Sequence, residues 1–328
     1  MEVSSRTLWI DSLKGWLMLL VILGHSIQYV FLNSYDSNHV WNSIYSFHMP
    51  AFIAVSGYVA ALSTHHGGGY FHLIKRKFLQ LIIPYLIWDF IYLLSIKAYD
   101  VQSLVRIITN PSLWFLWVLF WISVIFLSIK EISKKYHIKE IRLNIVACVV
   151  LILVMLLFNI RLFGFQYIAY YFTFYVIGYY INKYHFLIRK QLLPFAFAGW
   201  CVLAWFWKMH GIEIVIPSFI PQSVFDFIYR GVSAFLGIYV IFGFLPSVLS
   251  ERKAWNTIIA RIGTLTLGIY VVHLILVKFV AQIATGLFNV DGWMAVIITG
   301  LILIFISVPL VLLLRVNKYL SKFLLGKF

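Results

Sequence analysis

Acidic residues are scarce in this 328-residue chain: 11 Asp and Glu stand against 26 Lys and Arg, and charged residues make up only 11% while hydrophobic residues reach 62%. Soluble domains run at about 25% charged and about 45–50% apolar, so a soluble globular protein is excluded. Cysteine is limited to Cys148 and Cys201, both inside apolar runs. That leaves neither a disulfide framework nor a zinc ligand set. No metal site is expected, and redox chemistry is a poor fit. No internal repeat, low-complexity tract or polar linker divides the chain. A short apolar core ending in a small-residue cleavage site is also missing. The N-terminal stretch, interrupted by Asp11 and Lys14, reads as a retained first helix and not a signal peptide.

What is present is a succession of apolar runs. Ten segments of about 20 residues fit near 8–31, 45–63, 78–97, 112–130, 142–158, 166–182, 191–208, 223–249, 264–285 and 292–314. The expected fold is all-α: a polytopic integral membrane protein forming one domain over 1–328, with no appended extracytoplasmic domain. The net charge of +15 flanks the runs and forms no patch of the kind that binds nucleic acid. Nineteen cations fall on one set of loops and tails, from Arg6 through Lys75, Arg76, Lys77, Arg252 and Arg261 to the C-terminal tail; the other set holds Lys97, Arg106, Arg161 and Lys208. The positive-inside bias then predicts both termini in the cytoplasm of a plasma-membrane protein. Trp114, Phe115 and Trp117 open the fourth run where an interfacial aromatic belt belongs.

Nine ionisable residues fall inside the runs: Asp11, Lys14, His25, His48, Asp89, Asp226, Arg230, His273 and Lys278. A charge at bilayer depth costs at least ~2.5–3.5 kcal/mol on insertion scales, so each is expected to face protein or water. Lys14 and His25 are eleven positions apart, which returns a helix to within about 20° of the same direction, roughly 16 Å further on. Asp11 lies one turn below Lys14, so one face carries an acid, a cation and an imidazole. A structural reading makes Asp11 and Lys14 an interfacial ion pair and His25 an interhelical hydrogen-bonder. His48, before Met49-Pro50, either borders the same outward cavity as His25 or is a solvated cap. Asp226 and Arg230, at i,i+4, pair on one face. The sequence pattern does not point to a pairing residue for Asp89 or His273, and packing and active roles stay open for His273. Ser56-Gly57 suits close helix approach. The loop His65-His66-Gly67-Gly68-Gly69 is either a phosphate-wrapping segment ahead of Lys75 or a flexible turn.

Taken together, Arg6, Asp11, Lys14-Gly15, Gly24-His25, Phe47-His48-Met49-Pro50 and Ser56-Gly57 resemble the opening of type 3 membrane acyltransferases, in particular sugar O-acetyltransferases related to fucose 4-O-acetylase. Ile83-Pro84-Tyr85, Leu113-Trp114-Phe115-Leu116, Gly178-Tyr179-Tyr180 and Ile262-Gly263 through Tyr270 to His273 extend the likeness over nearly the whole chain. The resemblance implies ten spans and transfer of an acyl group from cytoplasmic acyl-CoA, here acetyl-CoA, to a hydroxyl at or beyond the membrane. It also implies a functional pair at the positions of Lys14 and His25. Many members have Arg where this chain has Lys14, and the basic pair before the Pro-Tyr of helix three is reduced here to Lys77 and Gln80.

On this reading Lys14, Lys75, Arg76, Lys77 and Arg261 meet the coenzyme A phosphates. His25 is the general base, with Asp11 and His48 supporting it, and Ser56, Arg230, His273 or His48 serves the oxyanion or acceptor. Direct transfer and an acetyl-histidine relay both remain open. The acceptor class is a cell-surface or lipid-linked glycan, with lipid as the other partner; the sequence does not give the oligomeric state. Two alternatives stand beside the enzyme: a proton-coupled transporter using Asp89, Asp226, Arg230 and His25, and a non-catalytic scaffold. The absence of matched broken helices in the two halves speaks against transport.

Overall fold

The computed structural model describes residues 5–62, 69–95, 113–160, 162–184, 188–209, 221–250, 253–287 and 290–327, with isolated positions between these segments. His65 to Gly68 of the glycine loop lie outside the described residues, as do Lys97, Arg106, Arg161, Arg252 and the side chain of Arg6. Among the described residues no strand forms. The helices are α1 (Ser5–Val30), α2 (His39–Tyr45), α3 (His48–Leu62), α4 (Tyr70–Lys77), α5 (Ile83–Ser95), α6 (Trp114–Tyr136), α7 (Glu140–Phe158), α8 (Phe165–Lys183), α9 (Leu193–Trp205), α10 (Gln222–Leu249), α11 (Ala254–Gly263), α12 (Thr266–Gly286), α13 (Gly292–Val316) and α14 (Lys318–Leu325).

Among the described residues eight stretches are long and apolar enough to cross a bilayer: Leu8–Val30, His39–Leu62, Tyr70–Ser95, α6, α7, α10, α12 and α13. The chain is therefore a multi-pass membrane protein. The two remaining expected spans coincide with α8 and α9. α8 is long enough at 19 residues but is rich in tyrosine. α9 has 13 residues, a rise of about 20 Å against a hydrocarbon core of about 30 Å.

The chain divides into two compact units, one made of 1–55 and 186–311, the other of 56–185 and 312–328. In the first, α1 is the central helix, burying Leu13, Leu17, Met18, Ile22 and Ile27. α11 lies hard against its N-terminal half: a Cβ on Gly15 would overlap the Ile259 carbonyl, and one on Gly263 would overlap the Asp11 carbonyl. Ser12 Oγ donates to the Asn256 carbonyl across the same contact at 3.3 Å. The glycines of Lys14-Gly15 and Ile262-Gly263 are thus required by backbone meeting backbone.

The second apolar run becomes helical at His39, earlier than expected, because Asn38 accepts from the amides of Val40 and Trp41 and caps α2. The helix breaks at Ser46 and Phe47. Phe47 fills the space over Gly237 and meets Trp200 edge-on at 5.2 Å, while Trp200 Nε1 donates to Ser46 Oγ at 3.0 Å. α3 then restarts with Pro50 in its first turn, where the missing N–H costs nothing.

In the second unit, Gly57 lets α3 press against the Tyr175 carbonyl of α8, and Asn182 Nδ2 donates to the Tyr58 carbonyl at 2.8 Å. Trp114 stacks on Tyr167 and Tyr171 at 4.9 and 5.3 Å, so its ring joins α6 to α8. α7 and α8 are tied by Asn144 to Tyr180 at 3.0 Å and by Lys183 to Glu140 at 2.8 Å. A π-turn over Phe78–Ile82 precedes Pro84, which has no N–H to offer the Gln80 carbonyl. Gly326, at φ +64, packs on that carbonyl, and Trp88 Nε1 donates to the Leu324 carbonyl at 2.8 Å, docking α14 on α5. Asp89 is buried inside this unit, 1% exposed.

Candidate active site

The residues that carry chemistry gather in the first unit around the C-terminal half of α1. Gly24 sets up this part of the site. A Cβ there would stand 2.9 Å from Tyr45 Cε2, so only glycine lets the Tyr45 ring close on the turn that bears His25. That ring packs edge-on against His25 at 6.4 Å and against His48 at 4.7 Å, with Trp41 stacked behind it at 3.9 Å. From α12, His273 brings its ring to within 5.4 Å of His25. Three imidazoles that are far apart in sequence thus share one neighbourhood.

Their hydrogen bonds fix which nitrogen each offers. His48 Nδ1 is 2.7 Å from the Ile44 carbonyl, and His273 Nδ1 is 2.8 Å from the Ile269 carbonyl. A carbonyl only accepts, so both rings carry their proton on Nδ1 and a lone pair on Nε2. His25 Nδ1 lies 3.2 Å from Gln28 Oε1, which Tyr45 Oη also approaches, at 3.4 Å. An amide oxygen with two such neighbours accepts from both, which assigns His25 the same tautomer. His48 is 2% exposed, so it is not a solvated cap; His273 is 0% exposed, and His25 alone of the three keeps part of its surface open.

Three turns toward the N-terminus of α1, Lys14 Nζ pairs with Asp11 Oδ1 at 3.1 Å, both side chains about three-quarters buried. α11 closes on this turn through Gly263, and Arg261 stands exposed on the last turn of α11. Asp11, Lys14 and His25 therefore do lie along one helix, in the expected order. Arg230 is committed elsewhere. Its guanidinium donates to the carbonyls of Lys208 and Met209 at 3.1 and 2.7 Å, lies over the Trp207 ring, and is 3.9 Å from Asp226. Asp226 in turn accepts from the Ile212 amide and from Gln222. The i,i+4 pair fastens the loop before α10. Lys278 is exposed on α12 and does not face the unit's interior.

Ser56, Lys75, Arg76 and Lys77 belong to the second unit, Ser56 half-buried on α3, Lys75 and Arg76 exposed on α4, Lys77 partly covered. Gln28 and Tyr45 are the site residues that sequence reasoning passed over. Gln28 was findable, since a polar residue three positions after His25 falls one turn above it. Tyr45 carried no such signal, because its helix starts before the expected boundary. Among the described residues no group of His, Cys, Asp and Glu is arranged to hold a metal ion.

Residues 7–315 match the family model described as an acyltransferase domain. The chain belongs to the type 3 acyltransferase family. Two nodulation proteins named NolL are similar to parts of this acyltransferase. The one from Sinorhizobium fredii (strain NBRC 101917 / NGR234) is 36% identical over 88 residues, 26% of this chain and 24% of the relative. The one from Mesorhizobium japonicum (strain LMG 29417 / CECT 9101 / MAFF 303099) is 33% identical over 131 residues, 36% of this chain and 34% of the relative. The matched regions span about a quarter to a third of these relatives' length. No solved structure gives a significant match.

Proposed function

We propose that this acyltransferase moves an acyl group, acetyl in the first instance, from cytoplasmic acyl-CoA to a hydroxyl of a cell-surface or lipid-linked glycan, with His25 as general base. The observation that carries the proposal is the contact of His25 Nδ1 with Gln28 Oε1 at 3.2 Å on a ring still partly open, which assigns the proton to Nδ1 and the lone pair to Nε2. A sugar hydroxyl attacks a thioester slowly unless its proton is taken during attack, and an imidazole titrates close to operating pH.

Coenzyme A is polyanionic and stays at the basic inner face. Lys14 and Arg261 are the cations of the first unit offered to its phosphates. Lys14 meets a phosphate as a point charge and is steadied by Asp11. This reading takes the chain to be one domain of ten spans, α8 and α9 among them, with both termini cytoplasmic in the plasma membrane. The transport alternative needs Asp226 and Arg230 as a titrating site, but both are bonded to the loop before α10. Mass spectrometry of envelope glycans from cells with and without the protein tests the proposal. A mass difference of one acyl group per acceptor is expected; identical glycan masses overturn it.

A further inference from the structure

Buried hydrogen-bonding atoms without partners are rare, and each calls for an explanation. His273 Nε2 is one: the residue is 0% exposed, its Nδ1–H is held by the Ile269 carbonyl, and Nε2 has no partner. Among the ring's neighbours are the His25 imidazole, 5.4 Å away, and the Tyr270 ring at 5.9 Å. Beyond His25 stand Gln28, Tyr45 and His48, which face it from α1, α2 and α3. A packing role alone does not account for an imidazole here, since any apolar side chain of similar volume would fill the site without a stranded lone pair.

We propose that His273 is a second catalytic imidazole, which accepts through Nε2 the proton that His25 removes from the acceptor hydroxyl and delivers it to the departing thiolate. This rests on the acyl-transfer reading above. The hydroxyl oxygen bonds to the acyl carbon, the carbon–sulfur bond breaks, and the proton moves from oxygen to His25 Nε2, then to His273 Nε2, then to sulfur. Both imidazoles end neutral, and coenzyme A leaves as the thiol. Holding both Nδ1–H groups in fixed hydrogen bonds leaves one nitrogen on each ring for this transfer, so the proton has a single route.

The test uses the full-length protein in membranes carrying its native acceptor, with labelled acetyl-CoA. His273→Gln keeps a polar side chain of comparable volume that cannot carry a proton, and it should lower kcat by about 10²-fold or more. Thermal stabilisation by acetyl-CoA should persist. In His273→Ala, added imidazole should restore label transfer at least about tenfold, as expected for a missing proton carrier. Transfer by His273→Gln within about threefold of wild type overturns the proposal. So does loss of acetyl-CoA stabilisation in His273→Gln, or failure of imidazole to rescue His273→Ala, since either marks a structural role. Wild type and His25→Ala separate the two levels: if wild type transfers no label, the acyl-transfer reading itself fails; if His25→Ala remains active, His25 is not the base and the relay falls with it; if His25→Ala is inactive while His273→Gln is normal, only the relay fails.

Discussion

Gly24→Ala is a single added methyl group placed where the site is tightest. Its Cβ would stand 2.9 Å from Tyr45 Cε2, whereas carbon–carbon contacts settle at about 3.5–4.0 Å, so the ring must retreat by roughly 0.6 Å or more. Tyr45 Oη already reaches Gln28 Oε1 at a long 3.4 Å, and a retreat of that size breaks the contact. Overpacking of this kind costs about 1–3 kcal/mol, offset by about 0.5–1 kcal/mol of helix propensity gained on replacing glycine. The net loss is about 0–2.5 kcal/mol, which lowers the melting temperature by no more than several degrees. The effect on catalysis should be larger. Misplacing a reacting group by about 1 Å can cost about 10²-fold, so a fall of about tenfold in acyl transfer is expected when His25 loses its support. Gly231→Ala is the control, because a Cβ at Gly231 meets nothing within 4 Å. The measurements are label transfer from acetyl-CoA in membranes and thermal melting of the purified protein. If Gly24→Ala transfers acyl groups as fast as Gly231→Ala, Tyr45 does not hold the site and the reasoning is wrong.

Three further outcomes are expected. Gln28→Leu frees the His25 ring to adopt the other tautomer and should lower acyl transfer by about 10-fold or more, while the melting temperature stays within a few degrees of wild type; an unchanged rate would show that Gln28 does not orient the base. Lys14→Ala should weaken the thermal stabilisation given by acetyl-CoA, and Lys14→Arg should keep or strengthen it through a bidentate phosphate contact; equal stabilisation in all three proteins would remove Lys14 from the donor site. Arg230→Met removes the two bonds to the 208–209 carbonyls and should destabilise by about 1–3 kcal/mol, with acyl transfer persisting in protein held below its melting point. Complete loss of transfer in well-folded Arg230→Met would return this arginine to the acceptor or oxyanion role.

Some of this architecture could be read directly from the residues. The order Asp11, Lys14, His25 on one face follows from helical spacing, and the Asp226–Arg230 pair from i,i+4 contact. The apolar runs gave the helices because lipid leaves the backbone no other solution but closed barrels. What escaped depends on contacts made at long range. For His48 the sequence leaves open a cavity shared with His25 or a solvated cap, and the burial that decides against the cap comes from Asn38 starting α2 early and Tyr45 packing on the ring. His273 joins His25 only through the packing of α12 against α1, which no local pattern encodes. The glycines of the motifs were visible as letters, but their reason, carbonyl oxygens of a neighbouring helix at Gly15, Gly57 and Gly263, is a property of the folded chain. The apolar runs at 166–182 and 191–208 read as spans, but the helices there, α8 rich in tyrosine and α9 only 13 residues long, are not among the eight long and apolar enough to cross a bilayer.

The most direct test of His25 as the base for acyl transfer is the rate at which label passes from acetyl-CoA to envelope glycan in membranes containing wild type or His25→Ala at equal abundance. The expected result is loss of transfer by about 10²–10⁴-fold, with the variant still inserted and still stabilised by acetyl-CoA. Transfer at near wild-type rate in His25→Ala would contradict the mechanism.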